Sequence, residues 1–281
     1  MGKSFALSVA QRTEGLCKGK VFLKNAVKVL CSASLDQGRC VYTTPASART
    51  FLMWKSLPVG ITAALIACAG LAADLSVTEN RWLKGVWPVV TFARAIQLPL
   101  DIVVQPQPTP GAAPLAMAFV GGRCKLVFSM RGNPEAHATL DRIAPDLLDA
   151  ALELMAAHEL GHCKRYLDGA WYSLPAGFAR RAGAGRSQPE LRSDILQMHA
   201  TRREEGFADL VGLAWTRQRH PEKYEALYKW LVGERSKDLI PGSHHDTLVW
   251  LRQAREGTAL DNKSIFSGAT RLWTEGLGVD E

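Results

Sequence analysis

The stretch AAHELGHCKRY, residues 156–166, contains two histidines and a glutamate in the spacing H-E-x-x-H. His158 and His162 are four residues apart, so on a helix they lie on one face and present two imidazoles side by side, as a tetrahedral zinc site requires. Glu159 projects next to them, where it can take a proton from a water molecule at a metal. The spacing therefore predicts two metal ligands and a general base on one helix.

The turns before this motif indicate that the histidines point inward. Three apolar residues continue the face of His158 towards the start of the helix: Ala151, Leu154 and Met155. Buried imidazoles need partners, and a metal would supply one. A solvated helix that holds histidine and glutamate by chance is the alternative interpretation. We predict a helix from about residue 145 to about residue 167, with Gly169 just beyond its end.

A third metal ligand is expected in a second long helix, which contains REEGFADLVGLAW at residues 203–215. Glu205 and Asp209 are four residues apart and share a face. Glu205 can complete the zinc site, and Asp209 can accept a hydrogen bond from the distal N–H of a ligand histidine. Glu204 is the rival ligand, and Glu205 is preferred because only Glu205 places Asp209 one turn further on. A charged, solvated helix face is the alternative interpretation.

HELGH followed by EGFAD resembles the gluzincin zinc metallopeptidases, with their H-E-x-x-H and E-x-x-A-D motifs, and is most similar to the HtpX and BepA type. The resemblance covers short motifs and assigns no subfamily. It implies a zincin-like fold, one zinc ion per chain and cleavage of a protein or peptide substrate. It also implies the roles of five residues: zinc ligands His158, His162 and Glu205 (alternatively Glu204), general base Glu159, and Asp209 as the group that orients a ligand histidine.

Such enzymes often have a later histidine that hydrogen-bonds the oxyanion of the tetrahedral intermediate. This chain offers GSHHDTLVW at residues 242–250. His245 matches the family pattern S-T-H-P in this area, with Asp246 in place of the proline, and His244 is the alternative. Two exposed loop histidines, one of them oriented by Asp246, are the other interpretation.

The positive charge of the chain is concentrated at its start. The formal net charge is +7, and residues 1–73 hold nine basic and two acidic side chains. Residues 74–281 therefore have no net charge and no overall basic surface, so we do not expect a nucleic-acid partner. With 281 residues and 47% apolar content, the chain can bury one sizeable core.

The segment MWKSLPVGITAALIACAGLAADLS, which begins at Met53, has the layout of a secretory signal. A lysine precedes an apolar run and then small residues, and cleavage is expected after Ala69. The same segment resembles a bacterial lipobox with Cys68 as the lipidated residue, and a buried core helix is the alternative. We therefore predict an exported protein that is periplasmic, or tethered to the membrane and facing the periplasm.

The expected domain organisation follows from these signals. Residues 1–52 are predicted to be an unstructured extension or a misassigned start, residues 53–73 a signal peptide or lipoprotein signal, and residues 74–281 a zinc metallopeptidase domain. Within this domain, residues 100–104 and LAMAFVGGRCKLVFSM (115–130) predict a strand and a hairpin. Helices are expected at about 193–219, 221–234 and 247–256, which with the metal helix indicate an α+β fold that is mostly helical.

After residue 73 the only cysteines are Cys124 and Cys163. An even pair in an exported protein can form a disulfide, and two free buried thiols are the alternative. A bond between them would join the predicted hairpin to the helix that carries His162. In zincins an edge strand beside this helix holds the substrate in an extended form.

The sequence thus predicts a zinc-dependent peptidase in which Glu159 takes a proton from water and later delivers it to the leaving amine. A non-catalytic, zinc-stabilised envelope binding or assembly protein is the alternative function. Glu159 argues against this alternative, because a structural zinc site needs no base.

Overall fold

The structure of the chain, a computed structural model, describes residues 74–105, 112–178 and 189–280, together with three short strand segments nearer the N-terminus. The predicted signal segment, residues 53–73 with Cys68, lies outside the described residues. The same is true of most of the predicted N-terminal extension, residues 1–52.

The described residues form seven helices and a small mixed sheet, which confirms the predicted α+β class. The helices are α1 Val77–Ala95, α2 Pro134–Asp141, α3 Leu148–Leu167, α4 Pro189–Arg219, α5 Tyr224–Ser236, α6 Leu248–Gln253 and α7 Ile265–Asp280. The strands are β1 Phe22–Leu23, β2 Val27–Leu30, β3 Val41–Tyr42, β4 Leu100–Val104, β5 Leu115–Val120 and β6 Arg123–Phe128. Within the described part of the chain, no helix is long and apolar enough to cross a membrane.

The sheet is built around its three longest strands, β4, β5 and β6. The strand order is β1-β2-β3-β4-β6-β5, in which β4 and β6 are parallel and the other pairs antiparallel. The predicted hairpin is confirmed: β5 and β6 pair from Val120 and Arg123 outwards, across Gly121 and Gly122 with positive φ of 58° and 71°. Two such residues are what a tight two-residue hairpin turn needs. Strand β5 ends the order, so one of its edges is not paired with a strand among the described residues.

Helix α3 lies at the centre of the domain. It packs against α1, α4 and β5, and α4 in turn packs against α7. For this reason α3 is buried around most of its circumference rather than along the single apolar stripe read from the sequence. The core beyond α4 is filled by large buried rings such as Trp250 and Trp273.

The helix that carries the H-E-x-x-H motif is confirmed, and its boundaries differ slightly from the prediction. α3 begins at Leu148 rather than near residue 145, because Ala144 to Leu147 form a turn closed by a 2.9 Å backbone hydrogen bond. Its end at Leu167 and the positive φ of Gly169 are as predicted. α4 begins at Pro189, before residue 193, because proline needs no N–H acceptor in the first turn of a helix.

Candidate metal site

Helices α3 and α4 bring His158, His162 and Glu205 together. The Nε2 atoms of the two histidines are 3.1 Å apart. The Glu205 carboxylate lies 3.5 Å from Nε2 of His158 and 3.4 Å from Nε2 of His162. Within the described ranges this is the one group of three or more His, Cys, Asp or Glu residues whose ligand atoms lie close enough to share a metal ion.

The distances within this group fit a tetrahedral zinc site. With zinc–ligand bonds of about 2.0–2.2 Å, neighbouring ligand atoms of a tetrahedron are separated by about 3.3–3.6 Å. The two imidazole nitrogens are 3.1 Å apart, and the Glu205 carboxylate lies 3.5 Å from His158 through Oε2 and 3.4 Å from His162 through Oε1. These separations are close to the range, although the two carboxylate contacts use different oxygens. Two imidazoles and one carboxylate are also a donor set that zinc accepts, with a fourth position left for water or substrate.

Asp209 lies behind His158 and is completely buried. Its carboxylate accepts a hydrogen bond from Nδ1 of His158 at 2.9 Å, so Nδ1 carries a proton and Nε2 is the ring nitrogen turned towards the cluster. Its other donors are Thr247 Oγ1 at 2.6 Å and the guanidinium of Arg235 at 2.6 and 2.8 Å. Four donors to one carboxylate hold Asp209, and with it the His158 ring, in a single orientation. Burial by itself raises the pKa of Asp209, but Arg235 and His158 outweigh burial and leave this pKa far below its ordinary value.

Arg235 in α5 joins the two carboxylates of the site. Besides Asp209, it donates to Glu205 at 3.3 Å through Nη2. Arg235 and Thr247 could not be predicted from the sequence, because neither belongs to a local motif. For Arg235 a signal exists: it follows the buried Leu227 and Leu231 at intervals of four residues, on the inner face of α5.

The guanidinium of Arg235 is bonded to the carboxylates of Glu205 and Asp209 and also interacts electrostatically with Glu159, so three carboxylates share one cation and the site favours an additional positive charge. Burial alone lowers the pKa of His158, but its hydrogen bonds to Asp209 and Glu205 raise it to about 10. A divalent cation would meet the same electrostatic demand in place of that proton. The charge of the site is therefore consistent with a metal centre.

Glu159 is half-buried, and no hydrogen bond to its carboxylate is present among the described residues. Burial raises its pKa above the ordinary value, and the nearby histidines oppose this rise. A raised pKa brings a carboxylate closer to the range that suits a general base near neutral pH. The Glu159 carboxylate is thus not engaged in a structural hydrogen bond among the described residues, and it is suited to proton transfer.

The alternative ligand, Glu204, lies elsewhere. It is 1% exposed and accepts two hydrogen bonds of 2.9 Å from Arg165 and one of 2.9 Å from the backbone N–H of Tyr172. These contacts direct Glu204 to the loop after α3, whereas Glu205 faces the histidines. The structure therefore brings Glu205, and not Glu204, to the cluster.

His245 and His244 lie in the loop before α6, with ring centroids 4.0 Å apart. His244 is partly buried, whereas His245 is exposed to solvent. Desolvation by nearby protein atoms and repulsion by the positive charge of Arg235 lower the pKa of His245 below its ordinary value. His245 is therefore neutral near pH 7 and lies near the cluster. The carboxylate of Asp246 accepts from the backbone N–H of Gly242 at 2.9 Å, so Asp246 shapes the loop and orients neither histidine.

Cys124 and Cys163 form a disulfide in the structure, with a Cα–Cα distance of 5.7 Å. Cys124 lies in β6 and Cys163 directly follows His162 in α3. The disulfide therefore joins the hairpin to the helix at the position of a candidate ligand, which is one of the two states that the sequence left open.

The described site contains the residues that the two sequence motifs predict, together with Arg235 and Thr247. Searches for similarity to protein-family models, to curated proteins and to solved structures found no match. The function proposed below is therefore supported by the residues of the site, their geometry and the motif resemblance.

Proposed function

We propose that the protein is a zinc-dependent peptidase that hydrolyses peptide bonds in protein or peptide substrates. The observation that carries this proposal is the convergence of His158, His162 and Glu205 on one point, with the unbonded carboxylate of Glu159 beside them. Asp209 supports it further, because its bond to Nδ1 of His158 leaves Nε2 free to act as a ligand.

In this mechanism the side chains of His158, His162 and Glu205 hold one zinc ion per chain. A bound zinc ion polarises the scissile carbonyl and lowers the pKa of water. Glu159 accepts a proton from the attacking water and delivers it to the nitrogen of the leaving amine. Asp209 and Arg235 keep the His158 ring and the Glu205 carboxylate in place during both steps.

His245 is proposed to stabilise the negative charge that develops on the carbonyl oxygen, with His244 as the alternative. A neutral imidazole keeps one N–H donor, and the lowered pKa of His245 favours this form near pH 7. A donor aimed at the developing oxyanion is among the larger contributions to catalysis of acyl transfer.

The substrate is proposed to lie along the edge of β5 that pairs with no other described strand, in a zincin-like arrangement. β5 is at the end of the strand order and packs beside α3. An extended peptide added to such an edge obtains backbone hydrogen bonds and passes next to the helix that carries the metal ligands. The disulfide at Cys163 keeps the hairpin and this helix in fixed relation.

The site is proposed to work outside the cytoplasm. The signal-like segment, residues 53–73, supports export, and the disulfide agrees with an oxidising compartment. The mature protein would be periplasmic, or tethered to the membrane through lipidated Cys68.

The decisive experiment replaces the base and leaves the ligands in place. We expect zinc-loaded wild-type protein to hydrolyse an unfolded test substrate such as casein. Glu159→Gln should keep about one zinc per chain and lose on the order of 10²–10⁴-fold in rate, which is the usual contribution of a general base. Glu225→Gln, an exposed glutamate on α5, serves as the control and should keep full activity.

Full activity of Glu159→Gln would refute the mechanism. A wild-type protein that binds zinc and cleaves no protein substrate would favour the alternative, a non-catalytic envelope binding or assembly protein.

A further inference from the structure

Three aromatic side chains from three different elements meet beside His162. Phe119 of β5 stacks on Tyr166 of α3, with ring centroids 4.0 Å apart. Trp171, in the loop after α3, contacts Phe119 edge-on at 5.2 Å and the His162 ring at 5.6 Å. Phe119, Tyr166 and Trp171 are called the aromatic platform below.

The aromatic platform is only partly buried, unlike the aromatic rings of the core. Trp82, Trp250 and Trp273 are at most 1% exposed, whereas each platform residue retains accessible surface. Partly exposed apolar surface next to a polar, convergent site is typical of a ligand-binding cleft.

A buried ion pair fixes the backbone that follows Trp171. Glu204 binds Arg165 and the backbone N–H of Tyr172, and Arg165 also donates to the carbonyl of Ser173 at 2.9 Å. Tyr172 has a φ of 59°, a left-handed conformation that is unfavourable for a residue other than glycine. Such residues persist where surrounding contacts enforce them, and they cluster at functional sites.

The other two rings are also fixed. Phe119 lies opposite Cys124 in the hairpin, and Cys124 is bonded to Cys163 of α3. Tyr166 lies one helical turn beyond His162 on the same face of α3. All three rings are thus anchored to the rest of the domain, and such preorganisation reduces the entropic cost of binding.

The chemistry of the platform suits an apolar side chain, because its surface is made of three adjoining aromatic rings, which offer large apolar contact area. In an extended peptide, neighbouring residues are about 3.3–3.4 Å apart along the chain. With Trp171 at 5.6 Å from His162, a side chain one or two positions from the bond being cut reaches the platform.

We propose that the aromatic platform is a side-chain subsite of the peptidase and selects substrates with an aromatic or large aliphatic residue near the scissile bond. This inference rests on the proposed peptidase function. It assigns Phe119 and Trp171 as specificity-determining residues.

The test measures binding separately from cleavage. The probes are blocked hexapeptides of alanine and glycine with one central Phe, Leu, Ala or Lys, titrated calorimetrically into zinc-loaded Glu159→Gln protein. We expect the Phe and Leu peptides to bind at least about tenfold more tightly than the Ala peptide, as one large side chain in an apolar subsite usually gives. Trp171→Ala and Phe119→Ala in the same background should abolish this preference. The matched control is Trp87→Ala, a partly exposed tryptophan on α1.

Equal binding of the Phe and Ala peptides, or tighter binding of the Lys peptide, would overturn the proposal even if no platform variant folds. A preference that survives in folded Trp171→Ala and Phe119→Ala proteins would overturn it as well. If the preference for Phe over Ala peptides depends on the platform residues but the wild type cleaves no peptide, the binding subsite is supported and the proposed peptidase function is rejected. Cleavage of all peptides at equal rates, unchanged in the platform variants, would keep the peptidase and reject the subsite.

Discussion

Arg235 determines how the charged residues of the site fit together. Its guanidinium donates to both oxygens of Asp209 and to Glu205, so one planar group holds the carboxylate that orients His158 and the carboxylate that completes the cluster. Lysine carries the same charge on a single nitrogen and cannot reproduce this fixed fork of donors. The role of Arg235 therefore depends on its shape as well as its charge.

We expect Arg235→Lys to weaken zinc binding by about 10–100-fold, which is typical for the loss of a group that orients a metal ligand. The measurement is a competition titration of zinc against a chelator. Arg255→Lys, at an exposed position 78% accessible, is the control and should bind zinc as the wild type does. A dissociation constant of Arg235→Lys within twofold of the wild-type value would contradict this role.

At the level of single residues, the local motifs could be predicted and their partners could not. His158, Glu159 and His162 share one helical segment, and the choice of Glu205 over Glu204 followed from the position of Asp209 one turn later. Thr247 and Arg235 reach Asp209 across 38 and 26 residues of sequence, and no spacing rule connects them. Thr247 occupies the N-cap position of α6, but its hydroxyl donates to Asp209 and makes no capping hydrogen bond to the helix.

The site depends on the close approach of α3 and α4, and Gly161 makes this approach possible. A Cβ atom at Gly161 would lie 2.9 Å from the Cα of Ala208 in α4, closer than real Cβ atoms come to backbone. An added methyl group would push α4 away from α3. Because Glu205 and Asp209 lie on α4 on either side of Ala208, both would move away from the histidines.

We expect Gly161→Ala to lower the free energy of unfolding by about 1–3 kcal/mol, the usual cost of overpacking, and to weaken zinc binding at the same time. Gly233→Ala is the control, because a Cβ there meets nothing within 4 Å. It should stabilise the protein by about 0.5–1 kcal/mol. Urea unfolding with and without zinc measures both effects, and equal behaviour of the two variants would show that the helix contact does not matter.

Helix α1 begins with a charged cap that should respond to acid. Glu79 accepts a hydrogen bond from the backbone N–H of Ser76 at 2.6 Å and one from Arg131 at 2.7 Å. Burial by itself raises the pKa of Glu79, but these partners lower it below the ordinary value of 4.5. The stabilisation is therefore present above about pH 4.5 and is lost as the pH falls through the lower pKa of the folded state.

We expect Glu79→Gln to lower the free energy of unfolding by about 1–2 kcal/mol at pH 7, as the loss of a helix cap and a charged hydrogen bond usually does. The difference from the wild type should shrink as the pH falls below 4.5. Denaturant unfolding at pH 7 and pH 3 gives this comparison. If the difference in free energy of unfolding between Glu79→Gln and the wild type grows in acid, the proposed direction of the Glu79 pKa shift is wrong.

Elements with a clear period or turn were predictable, and those that break a local rule were not. The hairpin was predicted because Gly121 and Gly122 mark its turn. Residues 74–99 did not identify α1, because Pro88 lies inside it and proline usually ends a helix. α7 was not predicted because its glycines oppose helix formation; one of them, Gly276, leaves room for the Trp250 ring, which a Cβ would meet at 2.2 Å.

For the molecule as a whole, the Cys124–Cys163 disulfide links the sheet to the central helix. It closes a loop between cysteines separated by 39 residues, for which the chain-entropy relation gives about 4 kcal/mol of stabilisation. We expect the free energy of unfolding of the double variant Cys124→Ser, Cys163→Ser, measured in guanidinium, to be lower than that of the wild type by about this amount. Alkylation of both cysteines in unfolded protein that has not been reduced would show that the bond is absent.

The central claim is that this fold assembles a three-ligand zinc site, and the zinc content of the purified protein tests it most directly. Elemental analysis of protein dialysed in the presence of zinc should find about one zinc ion per chain in the wild type and in Glu159→Gln. His162→Ala, which removes one ligand, should retain almost none. A wild-type protein without zinc under these conditions, or a His162→Ala protein with undiminished zinc, would contradict the account.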